Sequence, residues 1–299
     1  MHMTTKTKRI PELHVGRGQQ AGPLTVFPVW TGAPSLAALV MGLAADVAVA
    51  EREGSPVVGE LIVTNKGSSH ALLVEGELLE GGWQHRALQH DVILRPSGSM
   101  VAPVVCVEAG RWQGGGAHER RARRASGNVR AAMNATDESR RQQQVWHRVS
   151  GYDRSMGASP TSSYVDHLDR MRPSVGFTAV PVLDGQRGVV IGLAGQPVLL
   201  ELFPSHECLT AALPALISGL MLDAMSAAAP PVITPGRRAR RLVERLDGRR
   251  THLTDEVNAG DAIPFSLVTE HATVRGVTLD EEWAHLTVFN RRHPLVEVS

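Results

Sequence analysis

The stretch Leu72–Trp112 reads LLVEGELLEGGWQHRALQHDVILRPSGSMVAPVVCVEAGRW, and its spacing is that of β-strands. Short apolar runs are broken by Gly81-Gly82 and by Pro96-Ser97-Gly98, residues that turn a chain. Its reactive side chains come in pairs two apart: Glu75 and Glu77, Gln84 and Arg86, Cys106 and Glu108. Residues two apart on a strand share a face. Neighbouring strands would therefore gather Glu77, Gln84, Arg86, Cys106, Glu108 and Arg111 into one polar patch.

Working outward, Val47–Arg52, Val57–Asn65, Ala71–Leu79, Trp83–Leu88, His90–Arg95 and Met100–Val107 alternate or run apolar between turn residues and read as strands. Residues 1–22 are polar and read as a flexible tail. Ser35 is a good N-cap for a helix over Ser35–Ala45. Residues 113–128 are Gly- and Arg-rich without apolar periodicity. They predict a mobile basic lid beside the patch, hinged at Gly114-Gly115-Gly116. Helices are expected at Val129–Val149, Tyr164–Met171, Glu207–Ala228 and Arg237–Leu246. Strands are expected at Leu24–Trp30, Phe177–Leu183, Gly188–Leu193, Gln196–Phe203, Phe265–Glu270, Ala272–Val277 and Ala284–Asn290. Gly188–Phe203 and Val274–Phe289 echo one another as strand, short turn, strand.

The fold class that follows is α+β. An antiparallel β-rich N-terminal half, a sandwich or half-barrel, joins an α+β C-terminal half of hairpins and amphipathic helices. The expected divisions are 1–22 (tail), 23–112 (the β-rich part with the motif), 113–173 (basic loop and helical connector) and 174–299 (α+β part).

Composition narrows the partners. A net charge of +1 argues against a surface built wholly for nucleic acid. The basic clusters Arg120–Arg124 and Arg237–Arg250 lack the interleaved aromatics that stack bases. Two cysteines, Cys106 and Cys208, make neither a disulfide framework nor a zinc motif, so a reducing cytoplasm is expected. The N-terminal residues carry no apolar signal core, and no apolar run has the length of a membrane span. Phosphate-loop, dinucleotide and nucleophile-elbow motifs are missing from the sequence.

The segments EGELLEGGWQHR and VVCVEAGRW resemble a bacterial domain family named for its association with ADP-ribosylglycohydrolases and rhodanese-phosphatases. That family shows a Gly-Glu segment, a Gly-x-x-Gln-Asn-Arg element and a Cys-Val-Glu-x-Gly-Arg-Trp element. Matching positions are Gly76, Glu77, Gly81, Gln84, Arg86, Cys106, Glu108, Gly110, Arg111 and Trp112. Trp83 and His85 stand where the family has Lys and Asn. The likeness continues through Pro160-Thr161-Ser162, VVIGL, LLELF and HLTVF, so it spans nearly all of the chain after about residue 22. It implies a setting in ADP-ribose, NAD or nucleotide metabolism rather than a reaction.

The residues then admit two readings. In the first, Glu77, Cys106 and Glu108 are catalytic, while Gln84, Arg86, Arg111, Trp112 and His285 bind a phosphorylated, ring-bearing small molecule. In the second, the same side chains form a structural network inside a non-catalytic interaction or assembly module. No metal set is assigned, the cofactor is unknown, and a homo-oligomer stays open. The discriminator is whether these residues line a cleft or satisfy one another.

Overall fold

The computed structural model describes residues 6–52, 57–134, 138–171, 180–254 and 257–296. Two curved β bodies are joined by helices. The first is a ten-stranded antiparallel sheet. Its path runs Thr7–Arg9, Arg250–Leu253, Ile263–Val268, Ala272–Leu279, Glu282–Asn290, Gln196–Leu202, Gly188–Leu193, Leu24–Thr31 and Leu13–Val15, with Gln19–Ala21 also paired to Leu24–Thr31. Thr7–Arg9 and Leu13–Val15 occupy opposite ends of that path, yet only residues 10–12 separate them. Four residue steps reach at most about 14 Å, so the sheet must curl into a half-barrel whose edges nearly meet.

Alternation along the strands gives this sheet two buried faces. Val190, Leu200, Leu202, Val274, Leu286 and Val288 pack against Ala239 and Leu242 of the helix Gly236–Glu244. Val189, Ile191, Leu199 and Phe289 face the long helix His206–Ser226, which packs Leu209, Leu213, Leu216, Ile217 and Leu220 into the same cluster. Ser205 caps that helix by accepting from the Cys208 amide. Pro214 lies inside it rather than at its start. By length and composition the helix could cross a membrane; here much of it is buried in protein.

The second body is a closed six-stranded barrel of Arg86–Leu88, Ser99–Cys106, Glu60–Asn65, Val47–Ala50, Ala117–Arg124 and Glu77–Gly81. Leu61, Val63, Leu79, Leu88 and Val104 share one cluster with Leu73 and Val92 of a small adjoining sheet. Leu78, Ala87, Val105 and Val107 face the other way, under the helices Gly127–Met133, Glu138–Ser150 and Tyr164–Arg170. The α+β class, with an antiparallel N-terminal half, is therefore what the chain adopts.

Five local expectations are corrected. Residues 7–21 of the expected tail form three short strands that finish the sheet edges. The expected helix at Ser35–Ala45 is a strand, Leu39–Met41, followed by a 3-10 turn at Gly42–Ala44. Leu39 and Met41 are buried two apart, and Gly42 at φ +61° ends any helical path. The expected lid is largely a barrel strand, Ala117–Arg124. The helix expected at Val129–Val149 is two helices, Gly127–Met133 and Glu138–Ser150. Of the strand expected at Phe177–Leu183, residues 177–179 lie outside the described residues, and 180–183 are not strand.

Candidate functional site

Strand pairing brings most of the motif together. Arg86 sits opposite Cys106 on adjacent barrel strands. The Arg86 Nη1 donates to the Gln84 amide oxygen at 2.7 Å and lies 3.2 Å from Cys106 Sγ. The Gln84 amide donates to the Glu108 carbonyl at 3.0 Å, and Cys106 Sγ donates to that same carbonyl at 2.8 Å. From the Glu138–Ser150 helix, Gln142 exchanges two hydrogen bonds with the Cys106 backbone, at 2.9 and 2.7 Å.

The Glu108 side chain is equally engaged. One oxygen accepts from Arg111 Nε at 2.9 Å and from the His85 amide at 3.0 Å; the other accepts from the Thr161 hydroxyl at 2.7 Å. Arg111 spends its remaining donors on the carbonyls of Gly81, Gly82 and Gln113. Burial alone would raise the Glu108 carboxyl; Arg111, the His85 amide and Thr161 outweigh it and hold it below the usual range. Burial lowers the His85 imidazole against the pull of Glu108, and its Nδ1 accepts from the Gly81 amide at 2.9 Å. Burial pushes the Cys106 thiol up, against Arg86, which leaves it neutral. Gly110 is a point of close approach. A Cβ there would stand 3.1 to 3.3 Å from the Thr161 backbone. The Pro160–Ser162 segment of the family likeness thus docks on the Cys-Val-Glu-x-Gly-Arg-Trp element, and Glu108 bridges to Ser163.

Three sequence-predicted residues lie apart from this cluster. Glu77 is buried and bonded to Arg120 Nε at 2.7 Å, and Arg120 also donates to the carbonyls of Ala45 and Gly42. Trp112 is half exposed beside Arg111. His285 belongs to a second, larger polar centre.

That centre lies where the two β bodies meet. Glu201, Thr287 and Arg275 stand in one row across three adjacent strands of the ten-stranded sheet. Arg124, at the end of its barrel strand, and Arg130, on the Gly127–Met133 helix, each place Nη1 2.5 Å from a different oxygen of Glu201. Arg130 reaches Glu75 at 3.2 Å and the Thr287 hydroxyl at 3.2 Å, while Arg275 approaches the other Glu75 oxygen at 3.1 Å. His285 Nδ1 lies 2.7 Å from Asp91, whose other oxygen accepts from the Glu75 amide at 2.7 Å. Burial would raise Glu201; Arg124 and Arg130 hold it well below its ordinary range. Burial would lower His285; Asp91 and Glu201 raise it. Gly76 is at φ +81°, and a Cβ on it would strike Arg130 Cδ at 2.8 Å, so a side chain there would displace the knot.

Sequence reasoning missed Arg124, Arg130, Glu201, Asp91 and Arg275. One signal was present: Glu201 interrupts the buried-strand run Val198–Phe203, and an acid there needs a cation. Among the described residues no group of His, Cys, Asp and Glu is arranged to hold a metal ion.

Fold, motif network and polar junction together define a two-body α+β domain, and the chain belongs to the ARG and Rhodanese-Phosphatase-superfamily-associated Protein domain family, whose model matches residues 12–289. No curated protein and no solved structure matches it.

Proposed function

We propose that the chain is a non-catalytic interaction or assembly module in which the motif residues form a structural network. One observation carries this reading: Gln84, Arg86, Cys106 and Glu108 are buried, and their polar atoms are largely bonded to one another and to backbone. A nucleophile or general acid needs access to a substrate, and these side chains have spent theirs. Trp83 and Trp112, both partly exposed beside the Arg111 knot, offer an apolar rim for a partner.

A second reading, a ligand site in ADP-ribose, NAD or nucleotide metabolism, keeps one supporting observation. Arg111 is 26% exposed and His85 20%, so an anion can reach them from outside beside Trp112. A thermal-shift screen with NAD, ADP-ribose, nucleotides and divalent metals, run on the parent and on Arg111→Ala, separates the two. The structural reading expects Arg111→Ala to melt lower and to keep any ligand-induced shift. A shift present in the parent and absent from Arg111→Ala overturns it, because a ligand that binds only the native state raises its melting temperature.

A further inference from the structure

Independently of that reading, we infer that the mouth of the half-barrel, where the Gly236–Glu244 helix begins, binds a small molecule that carries a phosphate and a flat apolar part. The groove there is open to solvent, offers about 420 Å³ and is lined by Arg17, Phe27, Ile233, Thr234, Gly236 and Arg240 among others. That volume falls in the range of small-ligand pockets. Two cations from distant parts of the chain face it, and no carboxylate is among its described lining residues. Neither Arg17 nor Arg240 has an ion-pair partner among the described residues. Arg238, on the same helix, instead donates to the Gly195 carbonyl. Arg240 is folded back over the first turn: its Nη1 lies 3.2 Å from where a Gly236 Cβ would stand.

Like charges gathered in one groove without a counter-charge raise its affinity for anions. The planar guanidinium suits phosphate oxygens, which it can bond in pairs. The wall supplies the other half of the specificity. The strap at Gly18 covers the buried Phe27 ring, which a Cβ there would approach to 2.5 Å, so the strap's backbone is the face a ligand meets. Ile233, 57% exposed, forms an apolar lip. A bare phosphate would use only the arginines; a phosphate joined to a planar ring would use the wall as well.

The test is isothermal titration of the full chain at low salt with AMP, inorganic phosphate and adenosine, on the parent, Arg17→Ala/Arg240→Ala and Arg111→Ala. Both groove arginines are exposed, so the double variant should keep its melting temperature and circular dichroism. The inference expects AMP to bind more tightly than phosphate and adenosine to bind least. It expects about ten-fold or greater weakening for AMP in the double variant, falling affinity with added salt, and no change in Arg111→Ala. No measurable binding of AMP or phosphate to the parent overturns it. So does AMP binding that survives in the double variant. Phosphate binding as tightly as AMP removes the apolar wall from the proposal. Loss confined to Arg111→Ala moves the ligand to the motif and overturns both this site and the structural reading of the motif.

Discussion

Glu108 shows what one motif residue does. Its carboxylate is 2% exposed and joins the His85 amide, Arg111 and Thr161. Removing it strands Arg111 against the 81–82 carbonyls and frees the 160–163 segment. Glu108→Ala should therefore lower unfolding free energy by about 3–5 kcal/mol, the range for breaking a buried pair, as read from urea denaturation. A change below about 1 kcal/mol would mean the pair behaves as an exposed one. Asp223 is a second buried carboxylate with the opposite sign. It accepts from the Tyr152 hydroxyl at 2.6 Å and from the Asn128 amide at 3.0 Å. No arginine or lysine is among its hydrogen-bond partners in the described residues, and burial pushes it up to about 6. A folded-state value above the unfolded one means that its stability is present at low pH and is lost as pH rises through about 6. Asp223→Asn keeps an oxygen for the Asn128 amide and can donate to Tyr152. It should therefore melt higher than the parent at pH 7.5, by up to about 3 kcal/mol in unfolding free energy, and the gap should close below pH 4. A constant gap across that range would place the effect elsewhere.

The hairpins were legible because their chemistry is local. The sequence reads Gly188–Leu193 with Gln196–Phe203, and Ala272–Val277 with Ala284–Asn290, from apolar runs around turns, and their echo reappears in the paired hairpins Gly188–Leu193/Gln196–Leu202 and Ala272–Leu279/Glu282–Asn290. Each hairpin turns through two residues of positive φ, Ala194-Gly195 and Asp280-Glu281, and each shifts register just before the turn. Only the first has Gly at the second turn position. Glu281 is exposed at φ +64°, a conformation that costs a non-Gly residue about 1 kcal/mol. Glu281→Gly should raise the melting temperature by a few degrees in a calorimetric scan; a lower value would show that Glu281 makes a contact worth more than its strain. The strand Ala117–Arg124 was illegible for a different reason. Its inward positions carry His118, Arg120 and Arg124 instead of apolar residues, matched by Glu51, Glu77 and Glu201 from elsewhere in the chain. Period-two alternation is present in its burial, but it is written in basic side chains whose partners are distant in sequence. A search for hydrophobic periodicity therefore reads the stretch as loop.

Distance in sequence also explains why the motif was visible and the junction was not. The motif pairs lie on strands close along the chain, so spacing alone brought Arg86 to Cys106. The junction draws Glu75, Asp91, Arg124, Arg130, Glu201, Arg275 and His285 from both β bodies, and nothing local says that Glu201 will meet Arg130. What this knot contributes is the fixed docking of barrel on sheet. Its geometry predicts a stability that falls at both pH extremes. Glu201 and Asp91 are held below their ordinary values, so their contribution is lost as pH drops through the depressed range; His285 is held above its own, so its contribution is lost as pH rises through the raised value. Glu201→Leu leaves two arginines buried without their shared partner, and about 3–5 kcal/mol of stability should go with it. Replacing Arg124 and Arg130 by Met in the same chain removes the stranded charges, and the triple variant should recover a large part of that loss, because an apolar set of similar volume can substitute for a buried ionic one. Urea unfolding of the single and triple variants measures both steps. A triple variant no more stable than Glu201→Leu would mean that the knot also sets the register between the two bodies, which apolar packing does not restore.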